Sequence, residues 1–202
     1  QMVNAACLQN ILAIAHRNRI DILVDFLKHL ADAAQIAGKT FRIMNVGCGP
    51  AIEIQRFLQS YPHPEVLSFE LVDFSEETLA WTREKLSSIV AQIGKPVVIN
   101  YMHDSVHKLL KRRIDPASES AREFDAVYCA GLFDYLSDKV CSRLTAHFAA
   151  RTCHGGKILV TNVHSNNSTK FFMEHLLEWY LIYRDEASFY PLLPAQSIAR
   201  KI

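Results

Sequence analysis

The chain has 202 residues, with 22 Lys and Arg against 21 Asp and Glu, and half of it is hydrophobic. That is one domain's worth of chain with enough apolar residues for a substantial core, and it lacks the basic excess of a nucleic-acid-binding surface. No apolar stretch is long enough to span a bilayer, and Gln1 to Leu30 carries charges at helical spacing instead of the basic start and apolar block of a secretory signal.

The five cysteines, Cys7, Cys48, Cys129, Cys141 and Cys153, are odd in number and form no CxxC pair. That pattern predicts free thiols in a reducing, cytoplasmic setting rather than a disulfide framework. His103 and His107 have the i, i+4 spacing that grips a metal on a helix, but no third ligand is near, so no metal site is expected. Lys111-Arg112-Arg113, the densest basic run, reads as exposed loop charge.

In chain order, residues 8–36 read as one helix, with Ile20, Leu23, Phe26, Leu27 and Leu30 recurring at three- and four-residue steps and Gly38 just past the end. This forms an N-terminal helical cap over residues 1–40, ahead of a core over 41–202. Short apolar runs then alternate with amphipathic segments. The runs are Phe41–Val46, Val66–Val72, Val97–Tyr101, Ala126–Ala130 and Lys157–Val163. Pro50 suits the first turn of the helix after the first run. Ser75 can cap the next helix, with Glu76 and Glu77 near its positive end, and Gly94 stops it. A further helix follows Ser137, with Val140, Leu144 and Phe148 facing inward. Alternating strand and helix predicts an α/β fold, a doubly wound, mostly parallel sheet with helices on both faces. Ligands of such sheets bind at the carboxyl ends of the strands, so the strand-ending residues are the candidates.

The first strand ends in Asn45-Val46-Gly47-Cys48-Gly49-Pro50-Ala51. The two glycines allow a sharp turn and close approach of a ligand to the backbone, with helix N–H groups behind. A plain tight turn needs the same glycines. Ile52 stands where a dinucleotide fingerprint wants its third glycine, which disfavours a nicotinamide or flavin cofactor. The second strand ends in Asp73-Phe74, 24 positions after Gly49, where a carboxylate accepts ribose hydroxyls and a ring can cover an adenine. Asp73 also suits the role of a helix cap. Asp104-Ser105 follows the third strand, where the adenine amino group would find an acceptor. Ala130-Gly131 ends the fourth and leaves room for a ligand, with Tyr135 close behind. His164 ends the fifth.

This order of strand ends resembles the core of the class I S-adenosylmethionine-dependent methyltransferases over roughly residues 40–165. The resemblance implies that Gly47, Cys48, Gly49 and Pro50 contact the methionine part of the cofactor, that Asp73 binds the ribose, and that Asp104 and Ser105 meet the adenine. Many members carry an acid where Asn45 stands and a further glycine at Ala51. Asn45 then hydrogen-bonds the cofactor's amino group without charge pairing. The segments Gly47–Ile54, Ala130–Asp138, Phe172–Glu174 and Glu178–Arg184, with Ala15–Arg19 ahead of the core, resemble more narrowly the bacterial 3-hydroxypalmitic acid methyl ester biosynthesis subfamily. These are fatty-acid carboxyl methyltransferases that make a quorum-sensing signal. The class I fold closes with an antiparallel strand pair; residues 185–202, with Pro191 and Pro194, show none, so those final strands are expected to be missing.

The chemistry implied is S-adenosylmethionine as cofactor, S-adenosylhomocysteine as product and a small-molecule acceptor of acyl or acidic character. A carboxylate acceptor, ionised above a pKa of roughly 4, needs no general base, only alignment and a cationic clamp. Arg184 is the candidate clamp, with Tyr183 as hydrogen-bond donor; alternatively Arg184 pairs with Asp185 or Glu186 or caps a helix. His164 is the candidate base for a hydroxyl or amine acceptor, or else hydrogen-bonds nearby backbone. Tyr135 reaches the acceptor or packs under a helix. Arg17 and Arg19 close over the cofactor's carboxylate or are solvated. Phe171, Phe172, Met173, Leu176, Leu177, Trp179 and Tyr180 read first as core and second as the wall of an acyl pocket. A non-catalytic cofactor-binding relative and a nicotinamide-dependent oxidoreductase are the alternative functions.

Overall fold

The computed structural model describes residues 11–112, 114 and 121–195. Cys7, Arg113, the first three residues of the expected 8–36 helix and the last seven residues of the chain lie outside that set. The elements are α1 (Ile11–Ile36), β1 (Phe41–Val46), α2 (Ile52–Ser60), β2 (Leu67–Asp73), α3 (Glu76–Ile93), β3 (Val98–His103), α4 (Val106–Leu109), β4 (Phe124–Cys129), α5 (Asp138–Arg151), β5 (Thr152–Val160), α6 (Lys170–Leu176) and α7 (Glu186–Phe189). The five strands form one parallel sheet in the order β3-β2-β1-β4-β5. The order reverses between β1 and β4, so a crevice opens at their carboxyl ends.

Alternation along the central strands explains the two layers. Phe41 and Ile43 of β1 and Phe69 and Leu71 of β2 face one core, closed by Leu23 and Leu27 of α1, Ile54 and Phe57 of α2 and Leu86 of α3. Met44, Val46, Val72, Val127 and Cys129 face the other, closed by Leu109, Leu144 and Phe148. Burial on both sides of β1 accounts for its nearly unbroken apolar run. The edge strand β3 alternates exposed and half-buried residues instead.

The helix ends follow their capping chemistry. The Ser75 side chain accepts a hydrogen bond from the Thr78 N–H, with Glu76 and Glu77 in the first turn, and Gly94 closes α3 at φ 68°. Helix α2 starts later than the sequence predicts. Ala51 occupies the left-handed region at φ 48° and its N–H bonds Cys48 O, so Pro50 belongs to the turn and the helix begins at Ile52. His103 closes β3 while His107 lies in α4, so the pair does not share a helix face. β5 begins five residues earlier than its apolar run because α5 passes straight into it at Thr152. A register shift against β4 accommodates Gly156, where a Cβ would meet Asp125 O at 2.8 Å. Past β5, the described residues form short helices and turns and no antiparallel strand pair. No helix among the described residues is long and apolar enough to cross a membrane.

Candidate active site

The crevice is organised around the turn after β1. Gly47 and Gly49 adopt φ of 70° and 50°, a region that costs other residues strain. The Gly47 and Cys48 N–H groups both bond Val72 O, at 2.8 and 3.1 Å. The Gly49 N–H donates to Asp73 Oδ2 at 2.9 Å, and Gly49 O accepts from the buried Thr82 hydroxyl at 2.9 Å. Asp73 Oδ1 accepts from the Ser75 N–H at 2.9 Å. Asp73 therefore fixes the glycine turn and opens α3 at once, and each of its oxygens keeps a second lone pair. No atom lies within 4 Å of where a Cβ at Gly49 would stand, so that face of the turn is open to a ligand. Cys48 is buried. Burial, with Asp73 and Glu53 nearby, pushes its thiol up to about 12, so it stays protonated.

Beneath the turn lies a buried polar cluster that the sequence does not reveal. Asn45 donates from Nδ2 to Glu53 Oε1 at 3.1 Å and to the Tyr128 hydroxyl at 3.0 Å. Tyr128, fully buried, donates to Glu53 Oε1 at 2.8 Å. Both Asn45 N–H groups are thereby used within the protein, and only its Oδ1 could accept from the amino group of a cofactor. Burial pushes the Glu53 carboxyl up, opposed by the Tyr128 and Asn45 hydrogen bonds and by nearby Arg19.

The other strand ends are partly engaged within the protein. Phe74 is 71% exposed beside the crevice, and its carbonyl faces His103 Nε2 at 2.9 Å. Asp104 continues the β2–β3 edge through its N–H to Asp73 O at 3.0 Å, and one carboxylate oxygen pairs with Arg112. The Ser105 hydroxyl caps α4. At the end of β4, Ala130 is half-buried and the Gly131 N–H donates to Thr161 Oγ1 at 3.0 Å. Gly131 takes φ 91°, and Arg19 Nη1 lies 2.7 Å from where its Cβ would be. Helix α1 thus lays a guanidinium on the floor of the crevice, while Arg17 is exposed.

The C-terminal candidates diverge from expectation. Arg184 is 4% exposed and all five of its N–H donors are used. Nε and Nη2 reach Asp138 Oδ1 at 3.0 and 2.7 Å; Nη1 reaches Phe133 O at 2.9 Å and Asn162 Oδ1 at 2.6 Å; Nη2 also reaches Leu136 O at 2.7 Å. No donor remains for a substrate carboxylate, so the clamp role is corrected to that of a tether between the segment after β5 and the loop after β4. Its partner is Asp138, not the adjacent Asp185 or Glu186. His164 lies four residues past β5. Its Nδ1 accepts the Asn166 N–H at 3.0 Å and its Nε2 faces Glu186 Oε2 at 3.0 Å, so no lone pair is free to take a proton from an acceptor. Tyr183 is half-buried, with its hydroxyl 4.0 Å from Met173 Sδ. Tyr135 is 53% exposed and accepts a hydrogen bond from Trp179 Nε1 at 2.8 Å, while His16 of α1 stacks on Trp179. Of the aromatic segment read first as core, only Met173 is fully buried; Phe171, Leu176 and Tyr180 are about two-thirds exposed or more.

Comparison with known proteins defines the fold. Among solved structures, the magnesium protoporphyrin IX methyltransferase of Synechocystis PCC 6803, determined with bound S-adenosylhomocysteine, superposes with a TM-score of 0.63 at 14% identity over 89% of this chain and 71% of its own. A possible exported protein of Bordetella parapertussis gives 0.70 at 15% identity, over 92% of this chain and 62% of its own. This is the Rossmann-like fold of the class I methyltransferases. Among curated proteins, malonyl-[acyl-carrier protein] O-methyltransferase 1 of Ilyobacter polytropus is 25% identical over 154 residues, 74% of this chain. The chain spans about half (49%) of that relative's length. No protein-family model matches.

Proposed function

We propose that this chain is the cofactor-binding core of an S-adenosylmethionine-dependent methyltransferase whose acceptor is the carboxylate of a small acyl compound. The observation that carries the reading is the pair of 2.9 Å bonds that join Asp73 to Gly49 and Ser75 at the sheet's switch point. The residues fit the cofactor. Asp73 has one lone pair left on each oxygen for the ribose hydroxyls, Gly49 presents an open backbone face, and Phe74 stands exposed at the adenine side. When bound, S-adenosylmethionine supplies a methyl group already made electrophilic by its sulfonium.

This chain's own residues then bind, orient and exclude water. Thr82 and Asp73 hold the glycine turn from both sides, so the backbone needs little rearrangement on binding. Tyr135 and Trp179 form one wall of the acceptor side. A carboxylate acceptor suits the site because it needs no proton removed, and His164, the expected base, has both nitrogens engaged. Two observations favour an acyl acid. The curated relative is named a malonyl-[acyl-carrier protein] O-methyltransferase, and Phe171, Leu176, Leu177 and Tyr180 are each exposed past β5. The subfamily resemblance narrows the acceptor to a 3-hydroxy fatty acid.

The test is incubation with S-adenosylmethionine and, in turn, 3-hydroxy fatty acids, malonyl thioesters and aromatic acids, with methyl esters read by mass spectrometry. Ester formation with an acyl acid supports the reading. Cofactor binding without turnover on any acid would replace it with the non-catalytic alternative.

A further inference from the structure

The acceptor side of the crevice carries a hydroxyl that is held in place with its proton unused. Tyr135 ends the short helical turn Phe133–Tyr135 that follows β4. Trp179 Nε1 donates to its oxygen at 2.8 Å. An indole nitrogen is a donor only. The Tyr135 oxygen is therefore the acceptor in that bond, and its own O–H is left to donate elsewhere. That hydroxyl makes no second hydrogen bond among the described residues, and the side chain is 53% exposed.

Three parts of the chain hold the pair beside the crevice. Trp179 is half-buried, its backbone N–H bonds Met173 O at 2.9 Å, and the His16 ring of α1 lies parallel to the indole at 6.1 Å between centroids. Arg19, one helical turn after His16, lies against Gly131, so the same face of α1 reaches the crevice floor. Leu132, whose carbonyl accepts the Tyr135 N–H at 3.1 Å, comes within 3.2 Å of the Cβ position at Gly47. The Tyr135 hydroxyl is thus tied to the glycine turn on one side and to α1 on the other.

Two cations near the crevice are committed within the protein. Arg184 has every donor in use. Arg19 stands near the buried acids Glu53 and Asp134 and opposes the rise that burial causes in each. A neutral donor also suits the chemistry better than a guanidinium. A fork of N–H groups engages both oxygens of a carboxylate, and holding the ionised ground state too tightly raises the barrier. One hydroxyl holds one oxygen and leaves a lone pair of the other to form the bond to the methyl carbon. The carbon–sulfur bond breaks, its electron pair stays on sulfur, and no proton moves.

We propose that the Tyr135 hydroxyl donates the hydrogen bond that holds one oxygen of the acceptor carboxylate, with Trp179 as the positioning residue that keeps its proton free to donate. The inference rests on the methyl-transfer reading with an acid acceptor and names the side chain that selects the acid.

The test is calorimetric titration of protein saturated with S-adenosylhomocysteine, using 3-hydroxyoctanoate and, as the same chain without the carboxylate, 1,3-octanediol. Tyr135→Phe should weaken the acid about 10-fold, the lower end for a hydrogen bond to a charged group because the side chain is partly open to water, and change the diol by less than about threefold. Its affinity for S-adenosylhomocysteine should stay close to that of wild type, which reports an intact fold. Trp179→Phe keeps a ring and removes the N–H; it should weaken the acid by less and add nothing to Tyr135→Phe in the double variant. In turnover, Tyr135→Phe should raise KM and spare kcat, since the bond is made in the ground state and the transition state alike. A double variant weaker than Tyr135→Phe would remove Trp179 from its role. Unchanged acid affinity in Tyr135→Phe, or equal weakening of acid and diol, would overturn the inference while the acceptor reading stands. Wild-type protein that binds S-adenosylhomocysteine but not the acid would overturn both.

Discussion

Arg184→Ala separates a structural tether from a substrate clamp. The side chain satisfies Phe133 O, Leu136 O and Asn162 Oδ1 and pairs with Asp138. Asp138 is 68% exposed and regains water on truncation, so the ion pair itself contributes little. The acceptors around the buried head, Phe133 O above all, do not regain water as easily, and each unsatisfied group costs about 1–3 kcal/mol. Together with the cavity, a loss of about 3–5 kcal/mol is expected. For a domain of this size that lowers the Tm by roughly 6–20 °C. Arg184→Lys should recover part of it, because an ammonium supplies three donors in place of five. Differential scanning calorimetry reads both variants. A wild-type Tm in Arg184→Ala, accompanied by loss of methyl transfer with acidic acceptors, would refute the tether and restore the clamp.

Two further variants probe the ribose site and the core. Asp73→Ala removes the ribose acceptor and the tie to Gly49 and Ser75. It should weaken S-adenosylhomocysteine and 5′-methylthioadenosine alike, by about 10- to 100-fold, as loss of a charge-assisted contact shared by both ligands requires; calorimetry showing either ligand unaffected would remove Asp73 from the ribose site. Among the described residues the buried His147 has no hydrogen-bond partner at Nε2, and burial, with Arg151 and Arg112, lowers it from 6.5 to about 4. The folded state then binds fewer protons than the unfolded chain between those values. The contribution is present above pH 6.5 and is lost as pH falls toward about 4. It amounts to about 3 kcal/mol at most. Urea midpoints should fall more steeply over that interval for wild type than for His147→Phe; parallel profiles would contradict the assignment.

How much of the fold and site is legible in the sequence depends on the distance between interacting residues. β1 runs from Phe41 to Val46 as its apolar run predicts, and the Ser75 cap and Gly94 stop are local devices. Spacing alone pairs Asp73 with Gly49, since a parallel strand-turn-helix unit fixes that separation. The start of β5 is hidden because His154, Gly155 and Gly156 read as a loop, while the ladder to β4 through a bulge keeps them in a strand. Arg184 reads as a clamp because its ion partner lies 46 positions earlier, and nothing in the intervening pattern marks Asp138. Glu53 is hidden for a related reason. An acid in the first turn of a helix ordinarily faces water, and only the crossing of Tyr128 from β4 encloses it. The aromatic segment 171–180 reads as core from its composition. Only seven residues of it and its flanks form helix α6, too short to bury more than the Met173 side.

The central claim is that the crevice between β1 and β4 binds S-adenosylmethionine. Calorimetric titration of the folded protein with S-adenosylmethionine and S-adenosylhomocysteine, with NADH and NADPH as controls, tests it most directly. Saturable binding of both sulfur ligands at one site per chain, with no heat from either nicotinamide, is the predicted result. Binding of a nicotinamide in their place, or of neither class by protein shown to be folded, would contradict it.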